Sequence, residues 1–231
     1  MAGDSAAAVF SSKGDLAYSA LRQQILNGDL PPGSRLAQYE VARTLQMSIT
    51  PLREAIRRLN SEGLLDVDSH RDVRIPEMSS AEARQLFEVR RSLEPTAAQL
   101  AAARRTDQDL ERIEEALKQL VPVTRTWGEE GISAHRAFHQ ALYRACGNDV
   151  LVRMLDDIWD KTDRYRRLGL ELPPGDEPRL RDHRDHHHLK DLVEHGQGAE
   201  AAELMRQHID QSLTAKTVEV LLDRETSDRT S

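Results

Sequence analysis

The chain is 231 residues long, carries a net charge of −7 and contains one cysteine, Cys146. This length makes one large domain or two small ones with a real core, so neither a disulfide nor a metal is needed merely to fold. The acidity excludes a histone-like, uniformly basic nucleic-acid binder, yet a local basic patch within an acidic protein remains compatible with sequence-specific DNA recognition. Splitting the chain after residue 78 gives 9 Lys/Arg against 10 Asp/Glu before the cut and 23 against 29 after it, so −1 and −6 make up the −7. A lone cysteine forms no internal disulfide and fits a reducing compartment. No apolar run approaches the ~18 residues of a membrane span, and MAGDSAAAVF lacks the order of a signal peptide. The expectation is a soluble, cytoplasmic protein with no membrane association.

Residues 15–27, DLAYSALRQQILN, predict a helix with Leu16, Ala20, Leu21 and Ile25 on one apolar stripe. GDLPPG at 28–33 ends it, since two prolines and two glycines do not continue a helix. A short helix from Gln38 to Leu45 follows, burying Val41, Ala42 and Leu45, and Gln46 and Met47 turn the chain. Ser48 or Thr50 caps the next helix, and Pro51 is tolerated in a first turn whose amide lacks an intrahelical partner. That helix runs to about Ser61 with Leu52, Ile56 and Leu59 inward, and Gly63 stops it. In LLDVDSHRDVRI, Leu65, Val67, Val73 and Ile75 recur at two-residue spacing and predict a small hairpin.

Three short helices and a hairpin make a winged helix-turn-helix over residues 12–77. Such a head would hold Ser48, Ile49, Thr50, Arg53 and Arg57 toward a major groove, with His70 and Arg71 at the hairpin tip reaching the flanking backbone or minor groove. Arginines on one helix face equally suit a solvated surface. The order of helix, PPG break, short helix, capped arginine helix and hairpin favours DNA.

The stretch QQILNGDLPPGSRLAQYEVARTLQMSITPLREAIRRLNSEGLL resembles the N-terminal domain of the GntR family of bacterial transcription regulators. The family pattern is matched at Ile25, Gly28, Leu30, Pro32, Gly33, Leu36, Ala42, Leu45, Ser48, Thr50, Pro51, Arg53, Glu54, Ala55, Leu59, Glu62 and Gly63. Three positions depart from it. Ile49 stands where the family places an arginine before Thr-Pro, Tyr39 where many members have arginine, and Asp72 where the wing carries glycine. The resemblance therefore implies DNA binding but not an operator sequence. Ile49 suits a thymine methyl, and Arg53 is the leading candidate for a base or phosphate contact.

From Ser79 onward the sequence predicts an all-helical bundle of about six helices over 79–223, which makes the protein mainly α. The first opens with a capping box, Ser79 to Glu82, and carries Leu86, Val89, Leu93 and Leu100 on its apolar face, with a kink expected at Pro95. A second starts at Asp107, and others span about 129–145, 150–168, 179–194 and 199–222. ELPPGDEP is expected to be a loop and the polar tail 224–231 to be frayed.

His135 and His139 are four residues apart and share a helical face. His186 lies 10 residues before the turn at Gly196 and His208 lies 12 after it, so an antiparallel pair would bring them opposite each other. Four imidazoles from three helices then suit zinc or nickel. Spacing alone leaves a second reading open, in which these are unrelated polar or satisfied core histidines.

This part is similar to the helical ligand-binding (FCD) domain of FadR-type members of the same family. Glu88, Arg90, Leu93 and Glu94 match one recurring segment, HRAFHQALYRACGN a second, and His186 with His208 a third. The resemblance implies a divalent ion held through three histidines, His139, His186 and His208, with His135 at the position of a family aspartate. It also implies a homodimer reading two half-sites of double-stranded operator DNA, and a small organic acid effector whose carboxylate pairs with Arg90 of the matched segment; Arg166 is a second candidate on helix placement alone. The expected function is ligand-responsive regulation, as a repressor released by that acid. The alternatives are a structural or metal-sensing site, and more remotely a metal-dependent enzyme with a DNA-binding head.

Overall fold

The computed structural model describes residues 12–68, 72–120, 128–171 and 180–228. Two compact units divide the chain, Met1–Glu77 and Met78–Ser231.

In the first unit, α1 (Lys13–Leu26) begins with a reciprocal cap: Ser12 Oγ accepts from the Asp15 amide and the Asp15 carboxylate accepts from the Ser12 amide. Its inner face is Ala17, Leu21 and Ile25. Leu16, expected there, is 55% exposed. Nine steps of about 100° put it half a turn from Ile25. Helix α2 (Gln38–Thr44) ends in a Schellman turn, with the Met47 amide donating to the Ala42 carbonyl and the Gln46 amide to that of Arg43. Gln46 takes the left-handed φ of 52° that this turn requires.

Helix α3 (Ile49–Ser61) buries Leu52, Ala55, Ile56 and Leu59. Ser48 occupies its N-cap position, but its side chain makes no capping hydrogen bond. The N3 residue is Pro51, which has no N–H to give. The wing pairs β1 (Asp66–Val67) with β2 (Val73–Arg74) in antiparallel register, Asp66 opposite Arg74 and Val67 opposite Val73. A further bridge joins Arg35 to Arg74, so β2 is flanked on both sides and β1 is an edge. Leu65, Val73 and Ile75 are accordingly buried, whereas Val67, expected inside, is 41% exposed. His70 and Arg71 lie outside the described residues.

The second unit holds seven helices among the described residues: α4 (Ser80–Arg104), α5 (Asp107–Lys118), α6 (Gly128–Arg144), α7 (Asp149–Glu171), α8 (Leu180–Glu194), α9 (Gly198–Asp210) and α10 (Leu213–Asp228). The additional helix arises because the segment expected as one piece breaks after Asp210. Ser212 Oγ there accepts from the Ala215 amide at 3.4 Å and starts a new helix. Helix α10 continues into the stretch expected to be frayed. The Glu225 carboxylate holds it by accepting from the Ser80 amide at 2.9 Å and the Ser80 hydroxyl at 2.6 Å.

Helix α4 runs unbroken through Pro95. Its buried stripe is Ala83, Leu86, Arg90, Glu94, Ala97, Ala98 and Ala101, while Val89 is 41% exposed. Ser79 caps α4 through the Glu82 amide, but the Glu82 carboxylate does not close the box. It takes the Tyr165 hydroxyl proton instead, and the Tyr165 oxygen accepts from the Ser79 amide. Phe138, Leu142, Trp159, Leu189, Met205 and Ile209 centre the core around which α4 and α6–α9 converge. No helix among the described residues is long and apolar enough to cross a membrane.

Candidate metal centre and nucleic-acid interface

The four histidines meet. Helix α6 carries His135 and His139 one turn apart, α8 carries His186 and α9 carries His208. Each offers a ring nitrogen, and these atoms all lie within 4.8 Å of one another. All four rings are at most 5% exposed. His139 Nε2 and His186 Nε2 are 3.1 Å apart. Zn–N bonds of about 2.05 Å set ligand nitrogens about 3.3 Å apart in a tetrahedron and about 2.9 Å apart at cis octahedral positions. The observed spacing fits such an edge.

Burial is the main cause that holds His135, His139 and His186 well below the ordinary pKa of 6.5, with neighbouring cationic groups adding to it. The three rings are therefore neutral at pH 7, the state in which imidazole ligates. The Nδ1 atoms of His135, His186 and His208 are buried without a hydrogen-bond partner. Three buried ring nitrogens without a hydrogen-bond partner fit a finished polar core poorly.

Tautomers follow from a relay behind His139. Tyr143 donates its hydroxyl proton to Glu94 Oε2 at 2.7 Å and stands 2.9 Å from His139 Nδ1. Burial and the Glu94 charge push the phenol pKa up, so it keeps that proton. His139 must then carry its proton on Nδ1 and present a lone pair at Nε2. Glu94 is saturated further by Arg90 Nε at 2.5 Å and Trp159 Nε1 at 3.0 Å. Behind His208, Asp185 Oδ2 lies 3.5 Å from Nδ1. Asp182, Asp185 and His208 form a second group of convergent ligating atoms.

Both arginines expected near an effector are buried beside this centre, each against Trp159, with guanidinium carbons 4.9 Å (Arg90) and 5.2 Å (Arg166) from the indole. Arg90 forms a two-point pair with Glu94. Arg166 donates to Asp163 at 3.1 Å, a carboxylate that also accepts from Arg136 at 2.7 Å. Cys146 packs in the core. Tyr143 and Trp159 were not singled out in the sequence. Tyr143 had a signal, since it follows His139 by four residues and so shares its face. Trp159 had none beyond an aromatic on a helical stripe.

In the first unit, Ser48, Thr50, Arg53 and Arg57 are exposed and Ile49 is half-buried against the head's core. Arg58 is turned back, stacking 3.6 Å over the Tyr18 ring and pairing with Glu62 at 3.2 Å. Arg53 and Arg57 make no ion pair among the described residues. A groove between α3 and the wing is lined by Gln38, Thr50, Arg53, Arg57, Asn60 and Val67. Asp72 pairs with Arg35 and Arg74, so two arginines at the base of the wing are tied together. Tyr39 stands 75% exposed on α2.

Residues 14–75 match the family described as "Bacterial regulatory proteins, gntR family" and residues 85–211 match the "FCD domain". The chain is 31% identical over 205 residues to the HTH-type transcriptional regulator LutR of Bacillus subtilis (strain 168), covering 80% of this chain and 92% of that protein. It is 30% identical over 198 residues to the HTH-type transcriptional repressor GlaR of Escherichia coli (strain K12), covering 83% and 90%. The solved structure of E. coli McbR/YncC superposes with a TM-score of 0.74 at 25% identity, covering 94% of this chain and all of that one. These relatives are transcription regulators, which removes the enzyme reading. The chain belongs to the GntR family of DNA-binding transcription regulators, in the ligand-responsive group that carries a C-terminal FCD domain.

Proposed function

We propose that this regulator binds its operator as a homodimer and leaves it when a small carboxylate binds beside a divalent ion held by His135, His139, His186 and His208. The observation that carries the reading is the convergence of four buried imidazoles, each with a ring nitrogen within 4.8 Å of the others. Bound there, nickel with all four histidines, or zinc with His139, His186 and His208 alone, would supply a Lewis-acidic position for a carboxylate oxygen. Arg166 is the better placed of the two arginines to take another oxygen, because its Asp163 is shared with Arg136 while Arg90 is engaged at two points by Glu94. Operator contact falls to Ser48, Ile49, Thr50, Arg53 and Arg57, with Arg71 of the wing tip. The Ser48 hydroxyl, left without a cap to make, suits a phosphate oxygen at the start of α3. Two relatives are named repressors, GlaR and RspR of E. coli, and repression is proposed here on that likeness.

One observation favours a second reading, a structural or metal-sensing centre. If all four imidazoles bind a tetrahedral zinc, no position stays open for an effector, whereas an octahedral nickel leaves two. Metal analysis of the purified protein, with thermal-shift screening of small carboxylates before and after chelation, separates the two. His186→Ala and His208→Ala are each expected to lose the ion and the carboxylate response together. Wild-type metal content and response in both variants would overturn the site.

A further inference from the structure

We infer that His183 and His187, on the outer side of α8, form a second and solvent-facing site for a divalent ion, separate from the buried centre. The two residues are one turn apart, and their Nε2 atoms converge to 3.2 Å with ring centroids 4.7 Å apart. That spacing matches the 3.1 Å between His139 and His186 in the buried set, and it lies between the tetrahedral and cis octahedral edges of a nitrogen-ligated ion. His183 is half-buried and His187 exposed, so the shared point opens to solvent. The Nδ1 of His183 is buried without a partner, leaving the Nε2 side as the only place where that ring finds a polar neighbour among the described residues.

Without an ion, two neutral imidazoles meeting through Nε2 share one proton in one hydrogen bond. An ion takes both lone pairs and chelates across a helical turn. Neutral nitrogen donors with water in the remaining positions select zinc, nickel or copper(II) over magnesium or calcium. With two protein ligands instead of four, the outer site is the weaker. Its position gives it a consequence. An ion there staples successive turns of α8, and the stapled turn includes Asp185 and His186. Filling the outer site therefore braces the helix that presents a ligand to the centre. The bracing rests on the buried-centre reading, whereas the outer site itself does not.

The test uses the full chain, stripped with a chelator and titrated with Zn²⁺ and, separately, Ni²⁺, by calorimetry and by competition against a chromophoric chelator. Wild type is expected to take up one tight and one weaker ion per chain. His187→Ala, at an exposed position, should remove the weaker ion alone. His188→Ala, the exposed neighbour, should leave both, and His139→Ala should remove the tight ion and keep the weaker one. Loss of the tight ion should be faster from His187→Ala than from wild type when the weaker site is otherwise filled, and equal rates overturn the bracing. A weaker ion retained in both His183→Ala and His187→Ala, or lost equally in His188→Ala, overturns the outer site. A wild type that binds only the His187-dependent ion sinks the buried-centre reading and leaves this one standing.

Discussion

Tyr143 decides which nitrogen of His139 faces the centre, because its only proton goes to Glu94 and its oxygen must accept from Nδ1. Outer partners of this kind fix both ring orientation and ligand basicity. Tyr143→Phe keeps the ring and removes the relay. It is expected to lower metal affinity about 10–100-fold, read by competition with a chelator. Unchanged affinity with unchanged stability would remove Tyr143 from the site. A second consequence concerns pH. Burial depresses His135, His139 and His186 below 6.5, so they stay neutral in the folded chain while the unfolded chain takes up protons near 6.5. Groups of this sign stabilise the fold above their unfolded pKa and lose that contribution as pH falls through it. The coupled rings together make stability fall as pH drops below ~6.5. Thermal melts of the chelator-stripped protein should fall steeply from about pH 7 to pH 5.5. A flat profile would mean that the rings are not held neutral.

Elements close on one another through caps that bind distant segments. Glu225, near the end of the chain, takes the amide and hydroxyl of Ser80 at the start of α4. Glu225→Ala is expected to destabilise the protein by about 1–3 kcal/mol, measured by urea unfolding, and an effect within error would mean that the end of α10 is not held there. Nothing in a polar DRETSDRTS sequence announces that anchor, because its partner is 145 residues away. The break before α10 was illegible for a related reason: it rests on Ser212, with neither glycine nor proline to punctuate it. The head was legible because its boundaries are punctuated, by PPG, by the Gln46–Met47 turn and by Gly63. The face of α4 was legible in part: Leu86 is buried and Leu93 and Leu100 pack against the core, but Val89 is exposed and the middle of the stripe runs through Arg90 and Glu94. Arg90 and Glu94 count as polar in any hydrophobic pattern, yet they neutralise each other and are at most 1% exposed. The histidines were legible by their spacing together with the family resemblance. Their supports were not, since Tyr143 and Trp159 read as ordinary core.

At the scale of the whole molecule, most of the acidity lies beyond the head, so net charge does not supply DNA affinity and the proposed operator contacts of Arg53 and Arg57 would have to. If a carboxylate lowers operator affinity, linkage requires that the operator lower carboxylate affinity by the same factor. The size of that factor is limited by how differently the effector binds the operator-competent and released forms. Couplings of about 1–3 kcal/mol correspond to roughly 5–150-fold. The metal-loaded protein should therefore bind its carboxylate at least about fivefold more weakly with saturating operator duplex than without it. Calorimetry in both conditions, at one salt concentration, measures the ratio. Arg53→Ala, expected to lose specific duplex binding, supplies the control: its carboxylate affinity should match the DNA-free value whether or not duplex is present. Equal affinities in the wild type would break the link between the two sites, since an effector that binds both forms equally shifts neither.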